Sequence, residues 1–600
     1  MIVAPDACWP WSSAASGGDR PEQACSTLVD LLRYRARSQP EGVAYVFLRD
    51  GERQEEAITY LQLERQARRI GASLQGLEVH SEAVGLLYHP GLGFIEAFFG
   101  CLFAGLVAIP VQTPPGLKRL GGLTAILSDA GTRLVLTSSD ILEALHKDPS
   151  KHDWAQSLRL LATDQISVEP SPDWHPADPS VNSAAFFQYT SGTTNAPRGV
   201  VVSHANVLSN EELIRKAFRH DRTTIGIGWL PHFHDMGLIG NLLQGLYIGR
   251  PCILMSPFHF IQRPLRWLQA ISHYQATTSG GPTFAYDLCV QKIGAAQRDQ
   301  LDLSSWTLAF IGAETVRSAT IQRFADTFSS CGFNRDAFYP CYGLAEATLF
   351  VTGSQVRQPV VVKQVSREGL MENQVVGCDV PSDQSIGIVG CGREGLDHQV
   401  LIVDPVTRVR CPADRVGEIW VQGMSVANGY RNRPQETAQI FAARLADSGV
   451  GPFLRTGDLG FIQENNLFVT GRIKDIIILH GKTHYPHEIE LTVEHCADGL
   501  QAGGGAAFSL EREGREQVIM VQEVERMALR SISPSDCIEA IRTSVLSVHG
   551  VRLDAVVLIK PATIPRTTSG KVRRDHCRME FLAGSLAVVR GWPQPGMSAE

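Results

Sequence analysis

No Cys-x-x-Cys pair occurs in the sequence, and the cysteines number 13, an odd count. Both facts argue against a disulfide framework and for reduced thiols in a cytoplasmic protein. No basic residue precedes Arg20, so the start lacks the charged region of a secretory signal. An uninterrupted hydrophobic run is also missing. The most apolar stretch, residues 91–111, contains Glu96 and is broken by Gly100, Gly105 and Pro110. It reads as a buried helix followed by a strand, not as a membrane span. Positive charge is not in excess: 55 Lys and Arg face 62 Asp and Glu, for a formal charge of −7. Such a surface has no general attraction for a phosphate backbone, so no nucleic-acid partner is expected. No fixed-period repeat is visible, which excludes a solenoid. Hydrophobic residues at 44% and charged residues at 20% exclude a disordered or fibrous chain.

What remains is a chain of 600 residues, enough for several folding units. Residues 1–22 are rich in Ser, Gly, Pro and Trp and read as a loose leader. Helical and strand patterns then alternate. A helix is predicted over 28–37, a strand over 44–48, and a capping box of Thr59 and Gln62 opens a helix to about 74. A strand at 83–88, a helix at 94–104 and a strand at 134–137 follow. This alternation predicts an α/β body with parallel sheets covered on both faces. The texture changes near Gly417, where short antiparallel strands begin, one pair turning at Glu464-Asn465-Asn466. Residues 476–482 read as one further strand, and Pro486 opens a helix to about 496. The tail predicts strands at 506–510, 517–524 and 555–560 and a helix at 534–547. The fold class is therefore α/β: a large N-terminal domain of layered sheets over 23–472, with a small β-barrel subdomain over about 391–472. A small α+β C-terminal domain over 473–600 completes it.

The chemistry is written first in Gln188-Tyr-Thr-Ser-Gly-Thr-Thr-Asn-Ala-Pro-Arg-Gly199, between two apolar strands. Thr190, Ser191, Gly192, Thr193 and Thr194 supply hydroxyls and turn amides, and Arg198 supplies a cation. Amides and hydroxyls in a turn bind anions, and a fixed cation completes what a polyphosphate needs. The Walker pattern is absent and a strand follows, not a helix. Read alone, the segment has a hydroxyl-rich surface turn as its alternative. It does not stand alone. Gly312-Ala-Glu314, Tyr342-Gly-Leu-Ala-Glu-Ala-Thr348, Arg455-Thr-Gly-Asp-Leu-Gly460, Gly471-Arg-Ile-Lys-Asp475 and Pro565-Arg-Thr-Thr-Ser-Gly-Lys-Val-Arg-Arg574 follow in order.

Together these motifs resemble the adenylate-forming superfamily of acyl-CoA synthetases, peptide-synthetase adenylation domains and luciferases. Within it the chain is similar to the fatty acyl-AMP ligases. Leu230-Pro-His-Phe-His-Asp-Met-Gly-Leu-Ile-Gly240, the continuation Ala-Thr-Leu-Phe-Val351, and a long segment over about 352–390 carry that likeness. The segment resembles the family's characteristic insertion, which restrains the domain motion that transfer to CoA requires. The resemblance implies ATP-dependent conversion of a medium- or long-chain fatty acid to acyl-AMP with release of pyrophosphate. It implies Mg²⁺ as well, and transfer to the phosphopantetheine of an acyl carrier protein. Few residues follow Lys571, so the carrier is expected on a separate polypeptide. A fatty acyl-CoA synthetase is the alternative, and a silent nucleotide-binding regulator a third reading.

Site roles follow from the same likeness. Lys571 is the candidate cation between carboxylate and phosphates. Glu346, with Thr190 or Thr193, is the candidate Mg²⁺ ligand. Asp458 with Arg472 would hold the ribose. Tyr342 and Gly343 would lie against adenine, with Gly312, Ala313 and Glu314 giving close backbone approach. His234 would line the junction of acyl tunnel and nucleotide. His232 and His234 lack a third ligand at a sensible spacing, so a metal site there is not expected. The hinge is placed at Lys474 or Asp475. Two departures stand out: Asn195 where the loop usually has Gly, and Arg198 where it usually has Lys. Asn tolerates a left-handed turn, and Arg keeps the charge in a planar fork.

Overall fold

The computed structural model describes residues 25–77, 82–113, 121–147, 153–167, 169–190, 197–382, 384–395, 398–512, 514–567 and 570–592, with backbone alone at 121 and 190. The expected leader lies outside them. In the smaller sheet of the N-terminal domain six strands run in the order Arg159–Ala162, Leu134–Thr137, Ala83–Leu87, Val107–Pro110, Ala184–Thr190 and Arg198–Ser203. All are parallel except the last pair. The larger sheet has nine strands, and its parallel centre comprises Phe338–Gly343, Leu308–Ile311, Thr278–Gly281, Gly226–Gly228, Cys252–Met255 and Val43–Leu48.

Helices fill the space between the sheets. Leu92–Phe103 is apolar apart from Glu96 and buries ten of its 12 residues. A helix with no polar face must be covered on all sides. It is: Phe98 and Phe99 share one core with Leu86 and Phe186 of the smaller sheet and with Val46 and Ile253 of the larger. The capping box of Thr59 and Gln62 is present and opens Tyr60–Gln75. The helix expected at 28–37 is Leu28–Ser38. Among the described residues no helix is long and apolar enough to cross a membrane, and the described cysteines are free thiols.

A four-stranded antiparallel sheet follows, from His398–Val403, Gly417–Gly423, Leu454–Gln463 and Asn466–Arg472. Its last turn uses Glu464 and Asn465 at φ 51° and 58°, the left-handed pair that matches the twist of a two-residue hairpin. The segment over 352–390 contains an antiparallel ribbon, Val362–Ser366 with Ser385–Val389, and the helix Arg367–Met371. Val365 and Leu370 of this segment share a buried cluster with Phe461 and Phe468 of the hairpin and with Tyr485. Ile473 and Ile476 pack on the same cluster. The segment 352–390 and the chain's passage into its last domain are thus joined by one apolar core.

The C-terminal domain is α+β, with sheet order Leu500–Arg512, Arg515–Val524, Ala555–Ile559, Val588–Trp592. Three readings change. Residues 476–482 are not one strand but a hairpin of Ile477–Leu479 with Lys482–His484. The reason is local: His480 and Gly481 are both left-handed, at φ 49° and 78°. The strand expected at 506–510 extends to Leu500–Arg512, its register shifting between Leu500 and Gly505. The edge strand Val588–Trp592 was not anticipated, because VVRGW carries no turn signal and pairs only with a strand 30 residues earlier.

Leu370→Ala tests the apolar junction. Leu370 is 2% exposed, and truncating a buried leucine costs about 2–5 kcal/mol. The expected outcome is faster proteolysis within 352–390 and a lower urea midpoint.

Candidate active site

Several motif residues among those described lie at the carboxyl ends of parallel strands. That end of an open α/β sheet is where ligands bind, because successive connections splay apart there. Gly312, Ala313 and Glu314 follow Leu308–Ile311, Tyr342 and Gly343 end Phe338–Gly343, and His234 and Asp235 lie beyond Gly226–Gly228. Ala313, Glu314, Tyr342, Gly343, His234 and Asp235 open into one cleft of about 2070 Å³ that is also lined by Arg198, Glu346, Asp458, Arg472, Lys474 and Lys571. One wall is apolar, with Ile214, Phe218, Phe310, Leu349 and Phe350. Gly312 is required by space: a Cβ there would stand 2.5 Å from the Cys341 carbonyl oxygen. Ser191, Gly192, Thr193, Thr194 and Asn195 lie outside the described residues, as does the Thr190 side chain.

Asp458 is the hub of the polar wall. It is 4% exposed, and both oxygens are engaged. Tyr342 Oη donates to Oδ2 at 2.8 Å, and Arg472 Nε donates to Oδ1 at 2.6 Å. Asp458 and Arg472 face each other across the hairpin register, so the sheet itself sets the pair. Burial and the Asp458 charge push the Tyr342 phenol well above its usual range.

Lys571 reaches the cleft on a tight turn. Thr567 N donates to the Lys571 carbonyl at 2.7 Å, and Lys571 N donates to Thr567 Oγ1 at 3.0 Å. Gly570 lies between at φ 88°, and a Cβ on it would meet the Phe284 ring at 2.8 Å. The arm is thus seated against the N-terminal domain. Burial and the nearby Arg472 charge hold the Lys571 ammonium below the usual lysine range, with Glu314, Asp235 and Asp458 opposing them. Glu314 accepts from Phe284 N at 3.0 Å, at the start of the helix Thr283–Lys292. Burial raises its carboxyl in spite of that bond.

His234 and His232 do not converge. His234 Nδ1 lies 2.6 Å from Asp235 Oδ1, whereas the His232 ring is buried against Phe94, 5.5 Å away. Burial pushes His232 down to about 4. For Asp235 burial alone would raise the carboxyl, but the His234 ring, Lys571 and the Met236 amide outweigh it and leave it below the usual range.

Sequence reasoning missed the partners of these groups. Glu346 Oε1 accepts from Tyr430 Oη at 2.8 Å, and Arg198 Nη2 pairs with Glu436 Oε1 at 2.8 Å. Arg317 of the N-terminal domain pairs with Glu494 of the C-terminal domain at 3.1 Å, and Arg367 with Glu488 at 3.0 Å. Arg574 binds Glu490 and Asp475 next to Lys474. None of these pairings has a spacing signal, since each joins distant elements. Only the run Gly429-Tyr-Arg-Asn-Arg-Pro434, rich in cations beside the motif strands, offered a hint.

Sequence and structure comparisons show the family. Residues 32–431 match the family model of AMP-binding enzymes, and residues 474–590 match the AMP domain of Disco-interacting protein 2-like proteins. A medium-chain-fatty-acid–[acyl-carrier-protein] ligase, JamA of Moorena producens, is 44% identical over 94% of this chain and 96% of its own. The crystal structure of a fatty acyl-adenylate ligase from L. pneumophila, in complex with acyl adenylate and pyrophosphate, is 39% identical with TM-score 0.74, covering 96% of this chain and 99% of that one. A structure from a study of fatty acyl-adenylate ligases of E. coli and L. pneumophila is 31% identical with TM-score 0.83, covering 93% and 98%.

Arg317→Ala tests how the two domains are held. Glu494, 3% exposed on its side chain, would keep only the Gly503 amide, which donates at 2.7 Å. An acceptor so stranded costs about 1–3 kcal/mol. The expected outcome is faster protease cleavage between 472 and 477, with the N-terminal domain's melting unchanged.

Proposed function

The chain belongs to the AMP-binding enzymes and, within them, to the fatty acyl-AMP ligases, and from that premise we propose how its cleft performs the reaction. The enzyme activates a medium- or long-chain fatty acid with ATP. A carboxylate oxygen attacks the α-phosphorus, the bond to the bridging oxygen breaks, and pyrophosphate leaves with that electron pair. Both reactants are anions, so the protein's work is to hold them in line and to neutralise charge. The observation that carries this reading is the seating of Lys571 in the same cleft as Asp458, Arg472 and Asp235. From there its ammonium would bridge the carboxylate and the α-phosphate. Asp458 and Arg472 would take the ribose hydroxyls, and Tyr342, Gly343, Gly312 and Ala313 would face the base. His234 would mark where the apolar wall meets the nucleotide. Arg198 and the loop 190–194 would hold the departing pyrophosphate.

Glu346 suits Mg²⁺ by its chemistry. It is a hard oxygen donor in the cleft, Tyr430 occupies one oxygen, and no other described residue donates to the second. Thr190 would share that shell. Bound there, the ion would screen phosphate charge.

The acyl group then passes to the phosphopantetheine thiol of a separate acyl carrier protein, with AMP released. Residues 473–600 would rotate about Lys474 and Asp475 to admit that thiol. Support for a carrier over free CoA comes from the core shared by 352–390, Ile473, Ile476 and Tyr485, and from the Arg367–Glu488 pair. Both tether the last domain.

Incubation with lauric acid, ATP, Mg²⁺ and either CoA or a pantetheinylated carrier protein tests the reading. Acyl-carrier should form, and efficient acyl-CoA synthesis would contradict it. Lys571→Ala should lower fatty-acid-dependent pyrophosphate release at least about 100-fold, the range for losing a transition-state charge partner. The pH profile has a definite sign. Because the Lys571 pKa is lowered, its charge is lost as pH rises through a value below the ordinary lysine range, and the rate should fall there. Lys571→Arg, whose guanidinium stays charged, should be slower yet lack that alkaline decline.

A further inference from the structure

The chain from Ala427 to Glu436 lies along the strand Arg198–Ser203 as a strap. Val201 N donates to the Gly429 carbonyl, Asn428 N to that of Val201, and Arg431 N to that of Gly199. At its end Glu436 meets the only cation of the phosphate loop, Arg198, at 2.8 Å. The Arg198 guanidinium stands 5.7 Å from the Tyr430 ring centre, and among the described residues its Nε has no partner. On its other side Glu436 Oε2 lies 3.8 Å from Arg433. Arg433 itself is held by the Pro197 carbonyl at 3.0 Å and by Asp129 at 3.8 Å.

We propose that Glu436 competes with pyrophosphate for Arg198, occupying the guanidinium in the free enzyme and retiring to Arg433 when a polyphosphate binds. Carboxylate and phosphate present the same oxygen fork to a guanidinium, so one substitutes for the other without new geometry. The pair is about one-quarter exposed on both sides, and pairs of that exposure are weak enough to exchange. Release does not strand Glu436, because Arg433 is already beside it and anchored independently. No proton moves in the exchange. The consequence is a lowered affinity for pyrophosphate, which favours its departure after adenylation. The inference rests on the proposed placement of Arg198 at pyrophosphate.

Calorimetric titration of the full-length enzyme with inorganic pyrophosphate in Mg²⁺ buffer tests it. Glu436→Gln should bind pyrophosphate tighter by about fivefold, the ceiling for a pair this exposed. A merely structural role for Glu436 would weaken binding instead. Unchanged or weaker affinity in a variant with native circular dichroism overturns the proposal. Should that variant not fold, Glu436→Asp, which withdraws the carboxylate by one methylene, must tighten binding in the same direction by a smaller factor. Arg198→Gln separates the two levels. If it leaves pyrophosphate affinity unchanged, the placement of Arg198 fails and this proposal with it. If it weakens binding while Glu436→Gln has no effect, only the competition is refuted. The double variant should match Arg198→Gln alone, and an additive gain would overturn the proposal.

Discussion

Two anions must come within bonding distance in this cleft, and the architecture depends on how the required positive charge is kept ready. Free cations would be mobile and hydrated, so each is held by a carboxylate on another element. Asp458 grips Arg472 across the hairpin, Glu436 grips Arg198, and Glu314 and Asp235 flank Lys571. Three of these carboxylates also accept from a neutral donor: Glu314 from the Phe284 amide, Asp458 from Tyr342 and Asp235 from the Met236 amide. The net field in the cleft is thus nearly balanced before nucleotide enters. Balance of this kind keeps the desolvation cost tolerable while leaving donors aimed where phosphate charge will arrive.

The second constraint is mechanical. Lys571 is carried by the small domain, whereas the apolar wall and the residues Gly312–Glu314 and Tyr342 belong to the large one. Delivery therefore depends on docking, and docking here is a set of dispersed contacts: Gly570 on Phe284, Arg317 on Glu494 and Arg367 on Glu488. Ion pairs can be remade after rotation, but an apolar core resists separation. The segment 352–390 adds such a core through Val365 and Leu370, which cluster with Tyr485 beside Ile473 and Ile476.

Much of this was legible before any coordinates. Helix boundaries followed from capping chemistry at Thr59 and Gln62, and the turn at Glu464-Asn465 from its flanking alternation. The members of the site were legible because their motifs are contiguous: Asp458 and Arg472 lie near the two ends of one hairpin. Their partners were not. Tyr430 lies 84 residues from Glu346, and Glu494 lies 177 from Arg317. A single exposed-looking glutamate such as Glu436 carries no pattern at all. The hairpin at His480-Gly481 was missed because an apolar run hides a reversal that depends on two backbone angles.

The sequence by itself determined most element types, the α/β class and the list of candidate site residues, since periodicity, turn residues and short motifs are local properties. Tertiary structure alone decided which carboxylate restrains which cation, how Lys571 is seated, and that the segment 352–390 packs beside Ile473 and Ile476. Those are pairwise contacts between distant elements, and the electrostatic and packing energies that select them arise only once the sheets have brought the elements together.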